Sequence, residues 1–354
     1  MKHIFSETKL GVFHLRNAIV MSPMTRDRAG LDDVPGSIMV DYYRQRASAG
    51  MIVTEGVQPS AVGKGYWRTP GIYTEAQIAG WRAVADAVHA AGGTIVMQIM
   101  HCGRVVVPAN RGFNADVIAP SALQCPSPVP GPDGVPVPTA MPRALAAKEL
   151  PALAEEFAQA ARNARAAGLD GVELHCASGY LINQFLNPAS NQRVDEFGGS
   201  AENRIRFPIM VLKAMADAIG ADRVGVRISP ANGYNGMDVA DPWATFTPFL
   251  EAANALNPAY VHVVDMGDAC PNTLAHIRAA FDGPIIANNM LTGESAEALL
   301  AAGQAEAVSF GRAFIANPDL VERLRAGAAL AKPDYSLLYT GEERGYCDYP
   351  QMAG

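Results

Sequence analysis

The chain has 354 residues, 49% of them apolar, and a formal net charge of −7 with a pI near 5.5. That acidic balance lacks the basic footprint non-specific nucleic-acid binding needs, and no run of about 18 apolar residues is present to form a membrane-spanning helix. The N-terminus, MKHIFSETKL, has no apolar stretch of signal-peptide type, and five cysteines without a CxxC pair argue against a disulfide framework or a structural zinc site, so free thiols in a reducing cytoplasm are expected.

Short β-branched apolar runs alternate with Ala-rich amphipathic runs. Strands are predicted at 18–22, 51–55, 94–100, 171–175, 224–228, 260–264, 284–287 and 307–310. Helical periodicity follows them, as at 75–91, 151–167, 207–219, 242–256 and 294–302, and Gly92, Gly93, Gly168, Gly220 and Gly303 stand just past helix ends. Strand–helix alternation implies βαβ units and a parallel sheet. Eight units is the number that closes a (β/α)8 TIM barrel. A doubly wound open sheet is the alternative, weakened because no GxGxxG follows the first strand. The whole of 1–354 reads as one domain, since α/β barrels often exceed the usual domain length of roughly 150 residues. Two stretches break the rhythm. Segment 105–147 is rich in Pro, Gly and Ser and is expected to form an excursion, a hairpin for instance, over one barrel end. Segment 176–206 is a long polar loop after the fourth strand, with the aromatic, His and Asn content of a functional connection.

Barrel enzymes carry their sites at the C-terminal strand ends. Taken in chain order, those ends present Ser22, Pro23, Met24 and Thr25; Glu55 and Gly56; Gln98, then His101; His175, with Ser178 and Tyr180 beyond; Arg227; Asn288 and Asn289; and Gly311 with Arg312. No catalytic triad, carboxylate pair or metal-ligand cluster stands out, so no metal is expected. Amides, hydroxyls, two arginines and a phenol suit an organic cofactor that has a polar edge and a phosphate tail. Gly311 and Arg312, followed by a helix at 317–325, fit a barrel phosphate site or an ordinary tight turn. Arg227, inside VGVRISP, is either a structural ion-pair partner or a ligand for negative charge, because burying it unpaired is costly. Gln98 poses the same choice between a satisfied buried amide and a ligand contact. His175, Ser178 and Tyr180 could be structural, or could grip a substrate oxygen and donate a proton.

The stretches NAIVMSPMTRDRA, DYYRQRASAGMIVTEG, QIMHCGR, HCASGYLINQFLNPASNQRVDEFGGSAENR, VGVRISP, SFGRAFIANPDL and GYCDYP resemble the Old Yellow Enzyme family, in its short single-domain bacterial form. The resemblance implies tightly bound FMN, NADPH or NADH as reductant, and activated alkenes (enones, maleimides) or nitro compounds as substrates. It implies that Ser22, Pro23, Met24, Thr25, Gly56 and Gln98 cradle the flavin and that Arg227 sits where charge collects on it. Asn289, Met290, Gly311 and Arg312 would line its phosphate end. His175 and Ser178 would hold the substrate oxygen, Tyr180 would donate the proton, and Tyr66, Met100 and Tyr339 would line the substrate pocket. Two positions depart from the family pattern: Ser178 stands where Asn or His is usual, and Met100 where many bacterial relatives have Trp. Rival readings are a flavin-dependent amine dehydrogenase or demethylase, and a flavin-free aldolase or isomerase on the same phosphate site. A cytoplasmic monomer or homodimer is expected.

Overall fold

The computed structural model describes residues 1–288 and 290–352. The apolar runs become eight parallel strands: β1 (Ile19–Met21), β2 (Met51–Val57), β3 (Ile95–Ile99), β4 (Gly171–Cys176), β5 (Val224–Ile228), β6 (Tyr260–Val264), β7 (Ile285–Asn288) and β8 (Ala307–Phe310). They pair in chain order, and β8 pairs with β1 to close the barrel. Strand ends fall within two residues of those read from the sequence. Helices α1 (Ser37–Arg44), α2 (Glu75–Ala90), α3 (Leu150–Ala166), α4 (Arg206–Ile219), α5 (Trp243–Asn254), α6 (Thr273–Ala280) and α7 (Gly293–Ala301) link successive strands, and α8 (Leu320–Ala326) follows β8. The glycines at 92, 168, 220 and 303 all adopt positive φ, which lets the chain leave a helix without a Cβ clash. The helix expected at 317–325 begins only at Leu320, because Pro318 disfavours helical geometry in the residue ahead of it; a separate short helix, Arg312–Ala316, precedes it.

Strand side chains alternate between two environments. On β4, Val172, Leu174 and Cys176 face the helices, while Glu173 and His175 take the opposite parity. On β5 the split is Val224, Val226 and Ile228 against Gly225 and Arg227, and on β6 it is Val261 and Val263 against Tyr260 and His262. Inward positions near the N-terminal ends are apolar. Val20, Val53, Val96, Tyr260 and Ile286 pack with Leu10, Phe13 and Leu15 of an N-terminal hairpin (Thr8–Leu10 with Phe13–Leu15), and this cluster closes the barrel floor. Inward positions toward the C-terminal ends are polar. β2 shifts register between Val53 and Gly56, which brings Gly56 opposite Gln98 and leaves Glu55 bonded to Tyr43 of α1.

The excursion at 105–147 holds a hairpin, Val129–Pro130 with Pro136–Val137, and a parallel pair, Ile118–Ala119 with Arg143–Ala144. Its apolar residues pack with Met100, Tyr66 and Tyr180 over the C-terminal face. All five cysteines are unpaired. Among the described residues, no helix is long and apolar enough to cross a membrane.

Candidate active site

A cavity of about 720 Å³ opens at the C-terminal strand ends. Pro23, Thr25, Gly56, Gln98, Met100, His175, Ser178, Tyr180, Arg227, Tyr66 and Tyr339 border it, which brings eleven of the residues singled out in the sequence to one place. Ser22, Met24, Met290, Gly311 and Arg312 are not among the described lining residues. Ser22 is buried just below the rim. Met24 lies beside Gly311, where an added Cβ would sit 3.4 Å from its Sδ. Met290 is exposed, and Arg312 Nη1 reaches its Sδ at 3.9 Å while forming no ion pair among the described residues. Asn289, expected at the phosphate end, lies outside the described residues.

Beneath the cavity the inward polar groups form a closed ring of hydrogen bonds. Arg227 Nη2 donates to Asn288 Oδ1 at 3.0 Å, Asn288 Nδ2 donates to Ser22 Oγ at 3.0 Å, and Ser22 Oγ donates to Ser309 Oγ at 2.9 Å. Ser309 Oγ lies 2.7 Å from His262 Nε2, and His262 Nδ1 lies 2.8 Å from Glu173 Oε2. Gln98 Nε2 donates to Glu173 Oε1 at 2.8 Å, and Arg227 Nη1 donates to His262 Nε2, which closes the ring. Burial opposes ionisation of Glu173, but His262, Arg227 and the bonds it accepts outweigh burial and hold the carboxyl below its ordinary value. Burial, then Arg227, lowers His262 to about 4, so the imidazole is neutral and the ring carries one carboxylate against one guanidinium. Arg227 and Gln98 are each hydrogen-bonded within the protein, and each borders the cavity.

Groups at the rim are less satisfied. His175 is buried, its Nδ1 has no partner among the described residues, and burial followed by Arg227 lowers its pKa to about 3. Ser178 holds a positive φ of 56°. Its backbone is pinned on both sides, its N–H donating to Ser229 Oγ at 2.9 Å and its carbonyl accepting from Asn235 Nδ2 at 2.9 Å. Tyr180 Oη lies 2.9 Å from Tyr66 Oη, and burial pushes both phenols well above 10. Gly56 has a local reason: a Cβ there would sit 2.6 Å from Met100 Cε.

Three titratable residues of this region carry no role in the sequence reading: Glu173, His262 and Asp27. The first two share the signal that exposed Arg227, an ionisable residue inside an apolar strand. Asp27 follows Thr25 in a loop, where no period marks it.

A parallel eight-stranded barrel with polar strand ends around one large cavity defines a barrel enzyme built to hold an organic cofactor. A family profile described as the NADH:flavin oxidoreductase / NADH oxidase family matches residues 3–331. The chain is 42% identical to a protein of Leishmania infantum described as a probable flavin mononucleotide-dependent alkene reductase, with 96% of this chain and 94% of the relative covered. It is 38% identical to 12-oxophytodienoate reductase 2 of Arabidopsis thaliana, covering 97% and 94%. Among solved structures, an Old Yellow Enzyme homologue from Zymomonas mobilis superposes with a TM-score of 0.95 at 39% identity, covering 99% of both chains. Morphinone reductase in complex with tetrahydroNAD superposes with a TM-score of 0.95 at 41% identity, covering 100% and 98%. The chain belongs to this family, the Old Yellow Enzymes, and is an FMN-dependent oxidoreductase. The donor set fits that cofactor: a guanidinium, a primary amide and a threonine hydroxyl border a cavity where Gly56 presents no side chain.

Proposed function

We propose that the chain is an ene-reductase that draws electrons from NADH or NADPH through FMN and reduces alkenes activated by a carbonyl or nitro group. One observation carries this reading. A single cavity is bordered by donors suited to a flavin edge (Thr25, Gln98, Arg227), by a hydrogen-bonding pair (His175, Ser178) and by a phenol (Tyr180). Bound FMN would supply the hydride-transfer chemistry between the nicotinamide and the alkene.

The chain's own residues divide the remaining work. Arg227 and Gln98, held by the ring below, present fixed positive charge and an amide to the pyrimidine edge, a preorganised electrostatic arrangement. Ser22, Pro23, Met24 and Gly56 supply close backbone, and Asn289, Met290, Gly311 and Arg312 take the phosphate end. His175 and Ser178 donate to the activating oxygen of the substrate. With its pKa near 3, His175 stays a neutral N–H donor throughout the physiological range. Polarising that oxygen makes the β-carbon electrophilic. Tyr180 keeps its proton because burial raises its pKa, so it is an acid poised to protonate the α-carbon. Tyr66 orients that phenol, and together with Met100 and Tyr339 it shapes the substrate pocket. The chain works as one FMN-binding barrel domain, in the cytoplasm, as a monomer or homodimer.

The test is direct. Purified protein should be yellow, release FMN on denaturation, be reduced by NADH or NADPH, and be reoxidised by cyclic enones, maleimides or nitroalkenes in stopped-flow experiments. A preparation that stays colourless after reconstitution with FMN, or a reduced enzyme that none of these acceptors reoxidises, would overturn the reading.

A further inference from the structure

Asp27 borders the same cavity as Tyr180 and Tyr339, yet neither the flavin cradle nor the oxygen grip uses it. It lies in the loop after β1 with φ +54°, a left-handed conformation uncommon for a residue with a side chain. Its Oδ1 is buried and has no hydrogen-bond partner among the described residues. Three arginines stand near it, and their bonds go elsewhere. Arg26 donates to the carbonyls of Leu338 and Gly345, Arg28 donates to those of Leu337 and Leu338, and Arg68 pairs with Glu342. A carboxyl left unpaired among available cations is costly to bury. Asp27 itself borders the cavity, where an entering cation can supply the charge its carboxyl lacks.

We propose that Asp27 makes the cavity selective for activated alkenes that carry a protonated amine remote from the reacting double bond. The inference rests on the ene-reductase reading and names its substrate class. An ammonium group supplies both the charge and the donors that Asp27 lacks, and a charge-assisted hydrogen bond is stronger than a neutral one. Burial first, then the Glu55 carboxyl beside it, raise Asp27 to about 8 against the pull of Arg28, Arg68 and Arg26. Tyr339 and Cys102 are the other titratable groups that feel its charge, and Glu55 itself is raised to about 7 by burial. In the free protein Asp27 is therefore mostly protonated at neutral pH. A bound cation favours the ionised form and expels that proton, so affinity for the cation rises as pH approaches 8.

The experiment is calorimetric titration of the FMN-loaded protein with three unreactive phenols that mimic the substrate oxygen: 4-(2-aminoethyl)phenol, 4-ethylphenol and 4-(2-hydroxyethyl)phenol. At pH 8 the ammonium ligand should bind about tenfold tighter than the ethyl ligand, the size expected of one charge-assisted contact. The preference should shrink toward pH 6, and titrations near neutrality in buffers of different protonation enthalpy should show proton release for the ammonium ligand alone. Asp27→Asn should abolish both the preference and the proton release. Equal affinity for the ammonium and ethyl ligands in the wild-type protein overturns the inference without any variant. So does a hydroxyethyl ligand that binds as tightly as the ammonium one, or a preference that survives in Asp27→Asn. If none of the three phenols binds, the oxygen grip fails and this inference falls with it. If 4-ethylphenol binds normally, only the cation selectivity is at stake.

Discussion

The ring beneath the cavity and the rim around it are both polar, both buried for the most part, and only a few residues apart along the same strands. Glu173 and His175 are two positions apart on β4, yet they live under opposite rules. Glu173 accepts bonds from His262 and Gln98 and balances Arg227. Among the described residues, His175 leaves Nδ1 and Asp27 leaves Oδ1 without a partner. A closed network in a low-dielectric interior fixes charge in place before any ligand arrives, while unsatisfied groups above it are held ready for one. The ring should therefore govern stability and cofactor environment, and the rim should govern rate and selectivity.

The largest effect that would separate the two lies in the ring. Glu173→Ala strips His262 Nδ1 and Gln98 Nε2 of their acceptor and leaves Arg227 without its neighbouring carboxylate. Breaking one partner of a buried charged pair costs about 3–5 kcal/mol, so denaturant unfolding should show a loss of that order. A loss below about 1 kcal/mol would mean the ring is not a closed unit. Tyr180→Phe is the matching change on the rim. It removes one hydrogen bond, to Tyr66, so stability should fall by about 1 kcal/mol at most. Alkene reduction should fall by about a hundredfold or more, the usual contribution of a general acid, with flavin reduction by NADH or NADPH nearly intact. Equal losses in the two half-reactions would remove Tyr180 from the role of proton donor.

Titration should also pull the two groups of residues apart. His175 and His262 are held near 3 and 4 against an ordinary 6.5. Below pH 6.5 the unfolded chain binds protons that the folded one refuses, so their contribution is whole above about 6.5 and is lost as pH falls. Asp27 and Glu55 are raised to about 8 and 7 from 3.8 and 4.5. Their sign is opposite: the contribution is whole below about 4 and is lost as pH rises through 8. Asp27→Asn removes part of the alkaline loss. Its thermal midpoint relative to wild type should climb steadily from pH 5 to pH 8, and parallel curves would show that Asp27 does not titrate in this window.

The barrel was legible in the sequence because strand and helix periods alternate eight times with glycine at the helix ends. Arg227 and the His175, Ser178, Tyr180 group could be singled out because barrel sites lie at the C-terminal strand ends, although a structural role stayed open for each. The ring was only half legible. Glu173 and His262 sit inside ordinary apolar strands, and their partners arrive from strands 75 to 89 residues distant in the chain. Nothing local in RDRAG marks Asp27 either. Its environment is assembled from the 337–345 tail, which engages the neighbouring arginines, and a burial assembled that way cannot be read from spacing. The helix expected from 317 starts instead at Leu320, although Pro318 itself carried the signal for a later start.

The smallest effect concerns Ser178, where the family pattern has Asn or His. Its positive φ of 56° disfavours most side chains, but asparagine is several-fold enriched there. The backbone is already fixed by Ser229 and Asn235, so Ser178→Asn should enter without rearranging the loop. The longer amide should reach the ligand oxygen more closely than the hydroxyl does. One improved neutral hydrogen bond is worth about 0.5–1.5 kcal/mol, so phenolic ligands should bind about threefold to tenfold tighter, as read by flavin absorbance titration. Unchanged or weaker binding would mean the serine already completes the grip, and that the rim at this position is as fully satisfied in the bound state as the ring below it.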